Sequence, residues 1–116
     1  MKFSSSLKLN HIFRRLYASS GFANGLLVLY ARKNRTRTNR VGITVSKKLG
    51  CAVVRNRARR RIREAYRIQE ERFARGWDIV LVARGRAVDV RFDKLMEAML
   101  SLAGKAGILA PTEDRQ

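Results

Sequence analysis

Apolar and polar residues alternate in a way that predicts three strands. The segment from Phe22 to Arg32, centred on the apolar run Leu26 to Tyr30, is typical of a strand. In the second strand Val41, Ile43 and Val45 alternate with small or polar residues, which leaves one apolar face. The third segment, 77–83, is apolar on both faces, as expected of a central strand.

Helical spacing predicts three helices around these strands. A short helix covers 11–17 after the N-cap residue Asn10, and a long one runs from about 52 to 73, closed by Gly76. A last helix covers about 92–103. The order α-β-β-α-β-α predicts an α+β fold with a mixed sheet packed against helices.

Length and composition fit one small domain, 1–116. The chain has 116 residues, of which 46% are hydrophobic, enough for a core. We expect residues 1–7 and 107–116 to be loose at its two ends.

Positive charge is concentrated in the first half of the chain. The net charge is +17, and the first acidic residue is Glu64. Residues 32–40 alone hold five basic residues and no acid, which indicates either a solvated loop or an arm that grips phosphate. Such an excess of positive charge implies a polyanionic partner, and nucleic acid is the polyanion that fits best.

Several classes of protein do not fit. A single cysteine, Cys51, and a single histidine, His11, offer neither a disulfide nor a zinc site. Lys2 is followed by three serines rather than an apolar segment, and the longest apolar run falls far short of the ~20 residues of a membrane helix. We therefore expect a cytoplasmic protein without a membrane partner, with His11 at the surface and Cys51 and Trp77 in the core.

The long helix carries six arginines in nine residues, 55–63. On a helical wheel at about 100° per residue, an inward stripe contains Ala58, Ile62, Ala65, Tyr66, Gln69 and Phe73. A ridge on the opposite side contains Asn56, Arg60, Arg63 and Arg67 and extends for ~16 Å. No carboxylate precedes Glu64 to balance it, and guanidinium groups bind phosphate in bidentate fashion. The ridge therefore predicts a nucleic-acid contact surface.

The ordered motifs of this region resemble a known family. Val45-Ser-Lys-Lys-Leu-Gly50, then Ala52-Val53, then Arg55-Asn-Arg57 with Arg60, Arg63 and Glu64, is similar to the RNR signature of the bacterial ribonuclease P protein subunit. Similar segments on both sides extend the resemblance over roughly residues 7–103.

The resemblance implies a fold and a partnership. Members are small α+β proteins in which the arginine helix crosses between parallel strands with left-handed chirality. They join a catalytic RNA that removes the 5′ leader of precursor tRNA with Mg²⁺ ions held mainly by the RNA, and no organic cofactor is implied.

The resemblance also implies residue roles. The arginine helix faces the RNA subunit, and with the ridge this gives Arg55, Asn56, Arg57, Arg59, Arg60, Arg63 and Arg67 as the predicted contacts. A cleft between the first helix and the sheet holds the single-stranded leader, with Phe13, Tyr17 and Tyr30 at the matching positions and Lys47 and Lys48 nearby as further predicted leader contacts. Two aromatic residues at i, i+4 on a basic helix also suit base stacking, although core packing is the commoner role for such a pair.

The residues do not predict catalysis or metal binding by the polypeptide itself. One histidine cannot supply an acid–base pair, and the nine acidic residues form no compact motif. We expect no catalytic and no metal-binding residue in this chain, which would act as the accessory subunit of an endoribonuclease.

Three other functions are alternatives for such a basic domain, and two of them are disfavoured by the residues. A ribosomal or ribosome-assembly protein would share the size, charge and fold class but would not need a leader cleft. A DNA-binding module is disfavoured because a ridge with one amide suits phosphate contact more than base readout, so we expect no DNA partner. A stand-alone nuclease is disfavoured by the lack of catalytic groups.

Overall fold

The computed structural model describes residues 4–6 and 21–110 and contains a five-stranded mixed sheet with two helices. The strands are β1 (Ser4–Ser6), β2 (Phe22–Ala23), β3 (Leu27–Lys33), β4 (Asn39–Thr44) and β5 (Trp77–Ala83). The helices are α1 (Ala52–Gln69) and α2 (Phe92–Ala106), and short 3-10 turns cover Lys47–Leu49, Glu70–Arg72 and Gly85–Val88. The predicted α+β class is confirmed. The predicted helix over 11–17 lies outside the described residues.

The sheet has the order β1-β4-β5-β3-β2, with β5 at its centre. β4 is parallel to both β1 and β5, whereas β3 is antiparallel to β5 and β2. The connection from β4 to β5 passes through α1, as the family resemblance implies. The left-handed chirality of this crossover connection stays a prediction.

The core lies between one face of the sheet and the two helices. Leu27, Leu29, Val41, Ile79 and Leu81 supply the sheet side. The predicted inward stripe is confirmed as buried: Ala58, Ile62, Ala65, Tyr66 and Gln69 on α1, and Phe73 just beyond the 3-10 turn that follows it. From α2 the buried residues are Leu95, Met99, Leu102 and Ala103.

A buried network attaches the second half of α1 to the sheet. The Tyr66 hydroxyl lies 2.7 Å from Ser4 Oγ in β1 and accepts a hydrogen bond from Asn39 Nδ2 in β4. Asn39 also donates to the carbonyl of Ala74 and accepts from the N–H of Trp77. This one amide therefore joins α1, β4 and the start of β5, and it fixes the axis of the arginine helix against the sheet.

Both ends of the described chain make contacts with the rest of the domain. Ser4–Ser6 form an edge strand, since their backbone pairs with residues 39–41 of β4. Beyond α2, Ile108 is fully buried and Ala110 N–H donates to the Arg72 carbonyl. The expected looseness of 1–7 and 107–116 stays a prediction.

The long helix, predicted to run to about 73, ends at Gln69 and is followed by the 3-10 turn Glu70–Arg72. Two strands also differ from the prediction. The strand expected over 22–32 is broken by a turn in which Asn24 Oδ1 accepts hydrogen bonds from the N–H groups of Leu26 and Leu27. Asn-Gly at 24–25 is a strong turn signal, and it outweighs the apolar run that follows. The strand expected over 41–46 is instead Asn39–Thr44, because Ser46 caps the 3-10 turn at Lys48 N–H.

Candidate nucleic-acid interface

The arginine ridge is exposed along α1. Asn56, Arg60, Arg63 and Arg67 are all exposed, on the side of the helix opposite the buried stripe. The first turn of α1 has no acidic residue, so its helix dipole adds to the positive potential there. These groups form one continuous surface that suits a polyanion.

The ridge encloses a shallow depression that the sequence did not predict. It is lined by Val53, Asn56, Arg59, Arg60 and Arg63. Val53 is 75% exposed, and Arg59 Nη1 donates to Asn56 Oδ1 over 3.0 Å. The sequence does hold one indication of this depression, because Val53 is an apolar residue among arginines on the outward side of the helical wheel. Apolar surface between guanidinium groups suits a ribose or a base edge as well as phosphate.

The other arginines of the cluster have different environments. Arg57 is exposed, whereas Arg55 is half-buried on the inward flank. Its Nε is buried without a hydrogen-bond partner within the described residues. Arg61, which was not among the predicted contacts, donates to the carbonyls of Ala87 and Val88 and fastens α1 to the 3-10 turn at 85–88. Arg61 is therefore a packing residue.

One end of the ridge is balanced by an acidic group. Arg67 forms a salt bridge and two hydrogen bonds with Glu64, three residues earlier on α1. The hydrogen bond from Arg67 holds the pKa of Glu64 below its usual range, and the same contact raises the pKa of Arg67. Both groups are exposed, so the pair is worth little to stability. The pair does reduce the net charge that Arg67 offers to an anion.

The predicted cleft residues are only partly described. Phe13 and Tyr17, like His11, lie outside the described residues. Tyr30 is half-buried in β3, on the sheet face opposite the core, and its ring lies against Gly21. A Cβ at Gly21 would stand 2.7 Å from Tyr30 Cε1, so a side chain there would displace the ring.

Two lysines stand exposed near one end of that sheet face. Lys47 and Lys48 lie in the 3-10 turn that follows β4. The register places Thr44 of β4 opposite Val82, and Val82 opposite Val28, two residues before Tyr30. An aromatic group and two cationic groups are thus present on or beside the sheet face that was predicted to line the cleft.

Cys51 and Trp77 differ from their predicted environments. Cys51 is exposed at the N-cap position of α1 and not in the core. Backbone N–H groups of Val54 and Val53 lower the pKa of its thiol. Trp77 is half-buried at the edge of the core. The expectation for Cys51 was wrong because a cap residue precedes the first inward position of its helix.

The described carboxylates do not form a metal site. Asp78 accepts a bidentate contact from Arg40, with both distances 2.7 Å, and Asp93 and Glu97 pair with Arg91 and Lys94. No group of three or more His, Cys, Asp or Glu side chains that could hold a metal ion occurs within residues 4–6 and 21–110. Over the same ranges, no helix has the length and hydropathy to cross a membrane.

Together, the fold and the ridge define a class: small α+β proteins that present one arginine-rich helix to a polyanion. Comparisons with known proteins narrow this class. The family model described as Ribonuclease P matches residues 1–107. The chain belongs to this ribonuclease P protein family. RNA binding and tRNA processing are functions of this family.

The similarity to individual relatives extends over nearly the full length of both proteins. The ribonuclease P protein component of Clostridium botulinum (strain Langeland) is 40% identical over 108 residues, which are 92% of this chain and 95% of that protein. The component from Clostridioides difficile is 41% identical over 107 residues, 90% and 94% of the two chains.

Solved structures show the same fold. The Staphylococcus aureus RNase P protein superimposes with a TM-score of 0.79 at 31% identity, covering 93% of this chain and 98% of that one. The Thermotoga maritima RNase P protein gives 0.78 at 30% identity, covering 86% and 96%.

Proposed function

We propose that the chain is the protein subunit of a cytoplasmic ribonucleoprotein that removes the 5′ leader from precursor tRNA. The observation that carries this proposal is the exposed ridge Asn56, Arg60, Arg63 and Arg67, backed by a fully buried stripe on the same helix. Family membership adds the identity of the polyanion, a catalytic ribonuclease P RNA.

The ridge acts by neutralising phosphate. It extends for ~16 Å along α1, which matches several phosphate spacings of an RNA strand. Because Tyr66 and Asn39 hold the helix rigidly on the sheet, the arginines are presented without the cost of ordering a loop. Bound there, they reduce the repulsion between the catalytic RNA and its tRNA substrate, and the assembly then needs less Mg²⁺.

The sheet face opposite the core is the proposed place of the leader. Tyr30 offers a ring for base stacking, and Lys47 and Lys48 offer charge for the phosphates. Phe13 and Tyr17 complete the cleft in this proposal, on the family resemblance alone. Stacking and charge tolerate sequence variation, as a subunit that serves many precursors requires.

Chemistry at the scissile bond belongs to the RNA in this proposal. Asp78, Glu64, Asp93 and Glu97 each have a cationic partner, and the described residues hold no group of three or more His, Cys, Asp or Glu that could bind a metal ion. We therefore assign the reaction's Mg²⁺ ions mainly to the RNA. The protein binds, positions and neutralises.

The leader contact can be tested with Tyr30→Ala in the reconstituted holoenzyme. Removal of one stacked ring, worth about 1–3 kcal/mol, should weaken binding of precursor tRNA by roughly five- to a hundred-fold. Binding of mature tRNA, which has no leader, should not change. Equal weakening of both ligands would remove Tyr30 from the leader site. Thermal unfolding of the variant checks that the fold is retained.

The charge balance at the end of the ridge gives a second test, Glu64→Gln. Freeing Arg67 should increase affinity for the catalytic RNA and steepen the dependence of log K on log[salt] by about 0.7–0.9, the effect of neutralising one further phosphate. Glu97→Gln on α2 removes the same charge from another i,i+3 pair and is the matched control. Identical slopes for the two variants would place Arg67 outside the interface.

A further inference from the structure

A second group of arginines stands apart from α1, around the loop that joins β3 to β4. β3 ends at Lys33 and β4 begins at Asn39. Arg32, Arg35 and Arg37 are exposed, and none of them forms a salt bridge within the part of the chain that the structure describes. Arg40 differs, because its guanidinium is occupied by the bidentate contact with Asp78. Three exposed arginines within six residues of the chain form an anion-attracting surface.

The loop itself is ordered. Asn34 Nδ2 donates to the Thr38 carbonyl and to Asp78 Oδ1, and Asn34 Oδ1 accepts from Thr36 N–H and Thr36 Oγ1. Asn34 N–H also donates to the carbonyl of Gly76. A Cβ at Gly76 would stand 2.6 Å from the Thr36 carbonyl oxygen, so the loop and the turn before β5 lie in close contact. These hydrogen bonds hold the loop in one conformation, which a basic loop that only contacts solvent would not require.

The backbone conformation of Arg35 also indicates a role for this loop. Its φ is +62°, the left-handed region where glycine or asparagine is usual, and a larger residue there costs on the order of 1 kcal/mol or more. The loop therefore carries an arginine at a position that would favour glycine. This fits a role for the side chain itself.

The loop continues the sheet face that carries Tyr30. The register places Tyr30, Val80 and Gly42 in one row across β3, β5 and β4. The next row on that face contains Arg32, Asp78 and Arg40. Arg32 therefore follows Tyr30 by about 7 Å along the strand, and the loop lies beyond it. Lys47 and Lys48 lie beyond the opposite end of the same face.

From this arrangement we infer that the leader of the precursor continues past Tyr30 over Arg32 and is held at its far end by Arg35 and Arg37. This inference rests on the proposed function, since it requires a leader on that face. The loop is then a phosphate site for nucleotides beyond those that Tyr30 serves. It extends the length of leader that the protein recognises, without reading its sequence.

The test compares leader lengths in the reconstituted holoenzyme. Precursors with leaders of about four and about twelve nucleotides span the usual site sizes of single-strand binding proteins. The variant Arg35→Gln/Arg37→Gln removes both charges and keeps the side-chain length. Lys94→Gln/Lys105→Gln on α2 removes two exposed charges elsewhere and is the control.

We expect the loop variant to bind the long-leader precursor on the order of tenfold more weakly than the control does, with a salt slope smaller by about 0.7 for each phosphate that is no longer neutralised. Binding of the short-leader precursor should be unchanged. No difference from the control on the long leader would overturn the inference. Equal weakening on both leaders would also overturn it, because the loop would then contact the catalytic RNA or the tRNA body.

Failure of the inference can be separated from failure of the proposed function. If Tyr30→Ala weakens binding of both precursors while the loop variant weakens neither, the leader site stands and the loop is not part of it. If Tyr30→Ala weakens neither, the proposed leader site itself is wrong. Far-ultraviolet circular dichroism of the loop variant confirms that its fold is intact.

Discussion

Replacing Arg60 and Arg63 together by alanine should weaken binding of the catalytic RNA by roughly a hundredfold. Both side chains are exposed near the middle of the ridge and line the depression beside Val53. A hydrogen bond to a charged group contributes about 1.5–3 kcal/mol, so removing each arginine costs about tenfold or more in affinity. The salt slope should also fall by about 0.7–0.9 for each phosphate that is no longer neutralised, and Arg60→Ala alone should show half of this change.

The measurement is a titration of the catalytic RNA at several salt concentrations. Lys94→Ala/Lys105→Ala provides the control, because it removes the same formal charge from the surface of α2. If the control lowers the slope as much as the ridge variant does, the effect is one of net charge and the ridge is not a specific surface. Unfolding curves should be unchanged for both variants, since neither pair is buried.

Tyr66→Ala should lower the free energy of unfolding by about 3–5 kcal/mol, as is usual for removal of a buried aromatic ring. Tyr66 is fully buried, lies 4.8 Å from Phe73 between ring centroids, and bonds to Ser4 and Asn39. Tyr66→Phe keeps the ring and loses only the hydroxyl's hydrogen bonds, so it should cost about 1 kcal/mol. Urea denaturation of the three proteins measures both differences. A loss of less than about 1 kcal/mol for the alanine variant would contradict this account of how α1 is held.

The same residue predicts a pH dependence. Burial raises the pKa of Tyr66, so the folded state keeps the phenol proton to higher pH than the unfolded state does. The contribution of this group to stability is therefore constant below the unfolded tyrosine pKa of about 10 and is lost as pH rises above it. The stability difference between wild type and Tyr66→Phe should shrink above that pH and stay level below it.

The helices could be predicted from the sequence because their burial follows one period. Every residue of the expected inward stripe is buried, including Phe73 just beyond α1, and every residue of the expected ridge is exposed. Six arginines leave only one way to orient such a helix on a core. The exposure of the ridge could be predicted for the same reason, whereas its contact with RNA stays a prediction.

The features that escaped prediction depend on tertiary contacts. The serines of β1 have no apolar alternation, and their strand exists because the edge of β4 is free to pair. Ile108 is buried only because the chain returns to the end of α1, where Leu109 pairs with Phe73. Likewise, the attachment of Arg61 to the 85–88 turn cannot be read from spacing, since its acceptors are carbonyls more than twenty residues away.

Removal of the 5′ leader from a precursor tRNA at low Mg²⁺ tests the central claim most directly. Three reactions are compared: a bacterial ribonuclease P RNA alone, the same RNA with this protein, and the protein alone. The account predicts strong stimulation when the protein joins the RNA and no cleavage by the protein alone. Cleavage by the protein alone, or tight RNA binding without stimulation, would contradict it.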